Sequence, residues 1–162
     1  MPRGYIKTVK RFRKAAVQGD ASAQNNLGLM YHKGHGVERD DAEAVKWFSK
    51  AAEQGNAFAQ FNLGILKDNG LGVSPDNAEA VMWYYRAAEQ GVAEAQYNLG
   101  LMYGNGEGVC QDFILAHMWF NIAAKGYEKA KQGRDIAASK MTPDQIAEAQ
   151  RMAREWMEKH QQ

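Results

Sequence analysis

Apolar residues recur along the chain at helical spacing. Ala23, Leu27 and Met30 fall at i, i+4 and i+7, one face of an amphipathic helix. The same stripe returns as Ala59, Leu63 and Leu66, and again as Ala95, Leu99 and Met102. Polar and glycine positions divide these stripes into units. In the first unit the pattern predicts a helix over 21–33, with Asp20 as its N-cap. Gly34-His35-Gly36-Val37 then breaks the chain, because two glycines flanking one residue permit a tight reversal. A second helix is predicted over about 41–54, with Ala44, Trp47, Phe48 and Ala51 on its apolar face. Asp40 with Glu43, and Asp76 with Glu79, have the spacing of an N-cap and its acidic N3 residue. Gly55 and Gly91 stand where a left-handed residue ends the helix.

One period relates these units. Trp47, Trp83 and Trp119 are 36 residues apart, and so are Asn26, Asn62 and Asn98, Gly28, Gly64 and Gly100, and Asp40, Asp76 and Asp112. The glycine pairs 34/36, 70/72 and 106/108 repeat the interval, each followed by valine. A helix pair this short cannot bury its apolar faces alone, so stacking on neighbours is expected. Glycine in a helix interior costs about 1 kcal/mol relative to alanine. Its return at 28, 64 and 100 predicts that another helix approaches there, with the tryptophan of the second helix as the expected neighbour.

These residues are similar to a known family. Ala-xx-Gln-xx-Leu-Gly-xx-Tyr, Gly-x-Gly-Val-xx-Asp, Ala-xx-Trp and Ala-Ala-Glu-Gln-Gly resemble the Sel1-like repeat, a member of the tetratricopeptide superfamily of α/α solenoids. Leu27–Tyr31 and Leu99–Tyr103 carry the signature of the first helix, and the likeness covers about residues 5–126. The resemblance implies an all-α fold, a right-handed superhelix of about four antiparallel helix pairs. The expected organisation is a single solenoid domain over 1–162. Within it, 5–19 is an orphan second helix, the repeats are 20–55, 56–91 and 92–126, and 127–162 holds a degenerate repeat and a capping helix. Lys67 departs from the pattern, standing where the first helix otherwise has tyrosine. Thr142-Pro143-Asp144-Gln145 opens the last helix, with Thr as N-cap, Pro at N1 and Gln at N3.

Composition narrows the function classes. The 162 residues are 45% hydrophobic and 24% charged, close to a soluble globular average. A net charge of +1 argues against a dedicated nucleic-acid binder. No apolar stretch approaches the roughly 20 residues of a membrane span. Charge is unevenly spread: residues 1–50 carry ten basic and five acidic side chains, whereas 51–122 carry two and eight. The N-terminus shows no apolar signal-peptide core. The protein is therefore expected to be cytoplasmic if Met1 is native, and periplasmic or secreted if a leader has been removed.

Candidate chemistry is sparse. His32 and His35 are close but share no acidic or sulfur ligand at a usable spacing, so no metal is expected. His117 takes a place held by valine in the other units and is expected to be satisfied or partly exposed. No serine is followed by lysine three residues on, so the Ser-x-x-Lys arrangement of penicillin-recognising enzymes is absent. Cysteine-rich relatives described as β-lactamases carry paired cysteines, whereas Cys110 is alone here. No strand–Gly-rich-loop–Lys pattern suggests a phosphate site. The expectation is a non-enzymatic adaptor without cofactor, binding a protein or peptide. Its alternatives are a self-assembling structural solenoid and, behind it, a β-lactamase-like hydrolase. The resemblance implies that the first helix of each repeat lines a concave groove. Its candidate contacts are Asn26, Leu29, Phe58, Phe61, Asn62, Ile65, Tyr97, Asn98 and Leu101. Rings would supply contact area and amides would pair with a peptide backbone. The competing reading is that the aromatics pack between helices and the asparagines bond to their neighbours. A monomer, or weak self-association, is expected.

Overall fold

The computed structural model describes residues 1–161. Among them are nine α-helices and no β-strand: α1 (Arg3–Val17), α2 (Ala21–Lys33), α3 (Asp41–Glu53), α4 (Ala57–Asn69), α5 (Asn77–Glu89), α6 (Ala93–Asn105), α7 (Phe113–Ala123), α8 (Lys129–Ala138) and α9 (Pro143–Lys159). They group into two compact units, Met1–Arg86 and a second that begins at Ala87.

The helix boundaries follow local chemistry. Asp20, Asp40 and Asn56 each accept a hydrogen bond from the backbone N–H three residues on, satisfying one orphan donor of α2, α3 and α4. Asp112 does the same for α7. Glu43 does not complete a reciprocal box with Asp40; its carboxylate accepts from Lys46 at 2.9 Å instead. At the start of α9, Thr142 and Gln145 form both halves of the capping box. α2, α4 and α6 all end on a left-handed glycine, with φ of 68°, 64° and 69° at Gly34, Gly70 and Gly106.

Apolar clusters hold the helices of the first unit together. Val9, Ala16, Ala23 and Leu27 join α1 to α2. Ala44, Phe48, Ala51, Ala52, Ala59, Leu63, Leu66 and Trp83 join α3, α4 and α5. The glycine within the first helix of each pair does receive a large ring, but not the tryptophan. A Cβ at Gly28 would lie 2.7 Å from Phe48, and one at Gly64 would lie 2.7 Å from Tyr84. The tryptophan one residue earlier points about 100° away around the helix. Trp47 is half-buried beneath Lys50, whose Nζ lies 4.7 Å from the ring centroid.

In the second unit Ala116, Phe120, Ala123, Ala130 and Ala137 form the cluster between α7 and α8. Phe120 takes the ring position against Gly100. It also meets Gly133 of α8, where a Cβ would lie 2.7 Å from it. One phenyl ring is thus held between two bare stretches of helix backbone. α9 packs on α7 through Trp156, whose ring meets Trp119 edge-on at 5.8 Å. The Trp156 indole N–H donates to Glu89 at 2.8 Å, and His160 stacks on Trp156 while facing the same carboxylate at 3.3 Å.

Candidate interaction surface

Each helix pair is tied to the preceding helix by a buried amide. Gln24 Nε2 donates to the Ala16 carbonyl at 3.1 Å, and Gln60 to the Ala52 carbonyl at 3.2 Å. In the second unit Gln96 donates to the Ala88 carbonyl at 3.1 Å. These carbonyls lie at the C-terminal end of a helix, where each also accepts the backbone N–H of the glycine three residues on, and the glutamine supplies a second donor. The 36-residue recurrence of glutamine was visible in the sequence; its role required the carbonyl that lies eight residues before it.

That staple sets the rotation of α2 and α4 and so the side chains they display. On α4, Phe58, Phe61, Asn62 and Ile65 share one face at helical spacing. Phe58 stands well out, 63% exposed. Phe61 does not: it is half-buried, with its ring 6.0 Å from that of Tyr84. Asn62 is half-buried and donates to Asn25 Oδ1 at 3.0 Å. Asn25 is buried, so this amide pair joins α2 to α4. Asn26, the residue that matches Asn62 in the 36-residue register, is half-buried. Leu29 is half-buried against the second cluster, and Ile65 is half-buried.

On α6 the residues divide similarly. Tyr97 lies between Phe120, at 5.7 Å, and Tyr127, at 5.0 Å, and belongs to the packing of that unit. Asn98 is half-buried, and Leu101 is 38% exposed on the wall of a cavity between α6, α7 and α8. The residues that combine exposure with apolar area are therefore Phe58 and Leu101. Phe61 and Tyr97 are half-buried in ring contacts between helices, and Asn62 is already hydrogen-bonded.

The ionisable groups serve structure at several points. Asp41, at the first turn of α3, accepts from His32 Nδ1 at 2.7 Å and from Arg39 at 2.9 Å. Burial works against its charge, but the hydrogen bonds from Arg39 and His32 hold the carboxyl below the usual aspartate range. Lys67 fills its anomalous place by pairing with Glu79 at 3.0 Å. His117 departs from expectation. It is 3% exposed, and its Nδ1 has no hydrogen-bond partner among the described residues. Burial, helped by the charge of Arg134, pushes its pKa below the ordinary histidine value. Cys110 is exposed in the turn before α7. No group of three or more His, Cys, Asp or Glu able to hold a metal occurs among the described residues. No helix among them is long and apolar enough to cross a membrane.

Comparison with known proteins places this architecture. No curated protein gives a significant match. Among solved structures, the chain is similar to c5321, a protective antigen present in uropathogenic Escherichia coli strains displaying an SLR fold. The TM-score is 0.88 at 37% identity, covering 94% of this chain and 33% of that one. The chain thus spans about a third of the length of that relative. A Sel1 repeat protein from Oxalobacter formigenes matches with a TM-score of 0.70 at 42% identity, over 78% of this chain and 96% of that one. Helicobacter pylori cysteine rich protein B shares the fold, with a TM-score of 0.64 at 22% identity over 78% and 95% of the two chains. The Sel1 repeat model matches residues 21–56, 57–92 and 93–126, and with three such units spanning most of its helices the chain belongs to the Sel1 repeat family.

Proposed function

We propose that this protein is a non-enzymatic adaptor that binds a peptide segment of another protein through the first helix of its repeats. Sel1 repeats are generally protein-interaction modules and are typically non-enzymatic. The observation that carries the reading for this chain is Phe58, a large ring 63% exposed beside the Asn62–Asn25 pair and Ile65 on one helix face. Apolar area standing beside amides suits an extended peptide, whose side chains cover the ring while its backbone meets the amides. Leu101 offers the corresponding apolar contact on α6. The half-buried Asn26, Leu29 and Asn98 complete the proposed contacts on the same class of helix. Phe61 and Tyr97 contribute through the helix packing that holds these faces in place.

The test separates exposure from packing. Phe58→Glu is expected to abolish capture of a binding peptide while leaving the helical circular dichroism and the melting temperature unchanged. Phe61→Ala with Tyr97→Ala is expected to lower the melting temperature as well as binding. Peptide binding unchanged by Phe58→Glu would overturn the reading.

A further inference from the structure

The second unit contains a cavity of about 410 Å³ between α6, α7 and α8. Its size lies within the roughly 300–1,000 Å³ range of ligand pockets. Phe120 and the bare backbones of Gly100 and Gly133 line it, with the exposed Leu101 and Ile136 also on its walls. No acidic side chain lines it, and its one charged group is Lys140.

Sequence register explains why the cavity exists here. Position 104 corresponds to 32 and 68, and position 113 to 41 and 77. In the first unit His32 is bonded to Asp41, and Asp68 accepts from the Tyr84 hydroxyl at 3.3 Å. In the second unit Gly104 supplies no side chain, and a Cβ added there would meet nothing closer than Ala116 at 3.8 Å. Phe113 replaces the polar residue of the other units and lines the opening. Two changes at equivalent positions thus remove polar filling and add an apolar wall. Gly104 is helical, with no backbone requirement for glycine, so the absence of a side chain there is not imposed by the fold. Lys140 Nζ sits 5.7 Å from the centroid of the Phe113 ring, and no carboxylate lies within ion-pair distance of it among the described residues. Gln111 donates to the Gly104 carbonyl at 2.9 Å, so the polar rim is already oriented.

We propose that this cavity is an anchor site for an acidic peptide: one large apolar side chain enters between Leu101, Gly104 and Ile136, and a neighbouring carboxylate pairs with Lys140. Charge complementarity selects the occupant, because a buried apolar anchor beside a cation with no counter-charge favours an anionic peptide over a basic one. The proposal rests on the peptide-binding reading above and narrows it to one place and one partner chemistry.

The experiment is a selection of phage-displayed random decapeptides on the whole immobilised chain. Enriched sequences are then synthesised with fluorescein and measured by anisotropy. The expected consensus pairs Leu, Ile, Met or Phe with Asp or Glu within two positions. Gly104→Leu, which fills the cavity at a helical position with free space, is expected to weaken binding at least tenfold. Lys140→Glu is expected to weaken it at least threefold, and added salt to have less effect on that variant than on the parent. Circular dichroism checks that both variants stay folded. A basic consensus, or an affinity within twofold of the parent for Gly104→Leu, overturns the cavity proposal. If those same peptides are lost with Phe58→Glu, peptide binding stands and only the cavity assignment fails. No enrichment overturns both readings, and Gly104-dependent binding of octanoate would then assign the cavity to a small amphipathic acid instead.

Discussion

The pair α2–α3 in the first unit and the pair α6–α7 in the second share the same skeleton and differ in what they leave open. Both first helices are capped by a left-handed glycine, and both bring a central glycine against a ring, Phe48 in one and Phe120 in the other. Both carry a glutamine, Gln24 and Gln96, that donates to a carbonyl at the end of the helix before. The contrast lies at positions this skeleton does not use. His32 and Asp41 are hydrogen-bonded in the first pair, whereas Gly104 and Phe113 leave an apolar cavity in the second. Val45, half-buried in α3, becomes the buried His117 in α7. A repeat keeps the shared caps, the central glycine and its ring, and varies elsewhere, even at the buried position of His117.

The strongest way to test the shared skeleton is to damage it equally. Leu27 and Leu99 are both fully buried. Leu27→Ala and Leu99→Ala are each expected to cost about 2–5 kcal/mol in urea unfolding, by lost transfer energy and residual cavity. Hydrogen exchange should place the first loss in α1–α3 and the second in α6–α8. An unchanged midpoint for either would remove that residue from the core. The staple comes next. Gln96→Leu leaves the Ala88 carbonyl without its side-chain donor and is expected to cost about 1–3 kcal/mol, read as faster exchange at the start of α6.

The two kinds of glycine give opposite signs. Gly28→Ala forces a Cβ into the Phe48 ring and is expected to destabilise by about 1–3 kcal/mol. Gly104→Ala meets open space, so helix propensity alone acts, and a gain of up to about 1 kcal/mol is expected. Equal effects in thermal melts would show that the approach at Gly28 relaxes without cost.

The smallest expected effect is a pH dependence confined to the second unit. The folded state lowers the pKa of His117 from its ordinary 6.5. Protons therefore bind the unfolded chain more readily, and stability is fully present above about pH 6.5 and declines as the pH falls below that value. His117→Val, which restores the residue type found at 45 and 81, is expected to flatten this slope between pH 5 and 7. A slope unchanged by the substitution would place its origin in groups other than His117.

Much of the skeleton was legible before any coordinates. The N-caps at Asp20, Asp40 and Asp76 and the capping box at Thr142 depend on residues within a turn of one another, so local chemistry specifies them, and the 36-residue interval stands in the recurrence of residue types itself. Phe48, not the expected Trp47, meets Gly28, because periodicity places both rings on adjacent parts of one face and only helix rotation decides which one meets the glycine. The clamp of Trp156 and His160 on Glu89 joins residues far apart in sequence, and no spacing announces it. Gly133 was hidden for a related reason. It lies outside the 36-residue register, yet it performs toward Phe120 the same service as Gly100.

The candidate surface divides along the same line. Its location on the first helix of each repeat followed from the family resemblance, and Phe58 and Leu101 stand exposed there. The sequence could not separate them from Phe61 and Tyr97, because an aromatic at a surface register reads alike whether it faces water or the ring of a neighbouring helix. The sequence by itself determined which segments are helices, where they stop, and that they repeat, since those properties arise from hydrogen bonds and side chains close along the chain. Only the tertiary structure decided which rings are spent on packing and where a missing side chain becomes a cavity. Both depend on how one helix is rotated against another, and that rotation is set by many contacts acting together rather than by any residue's own preference.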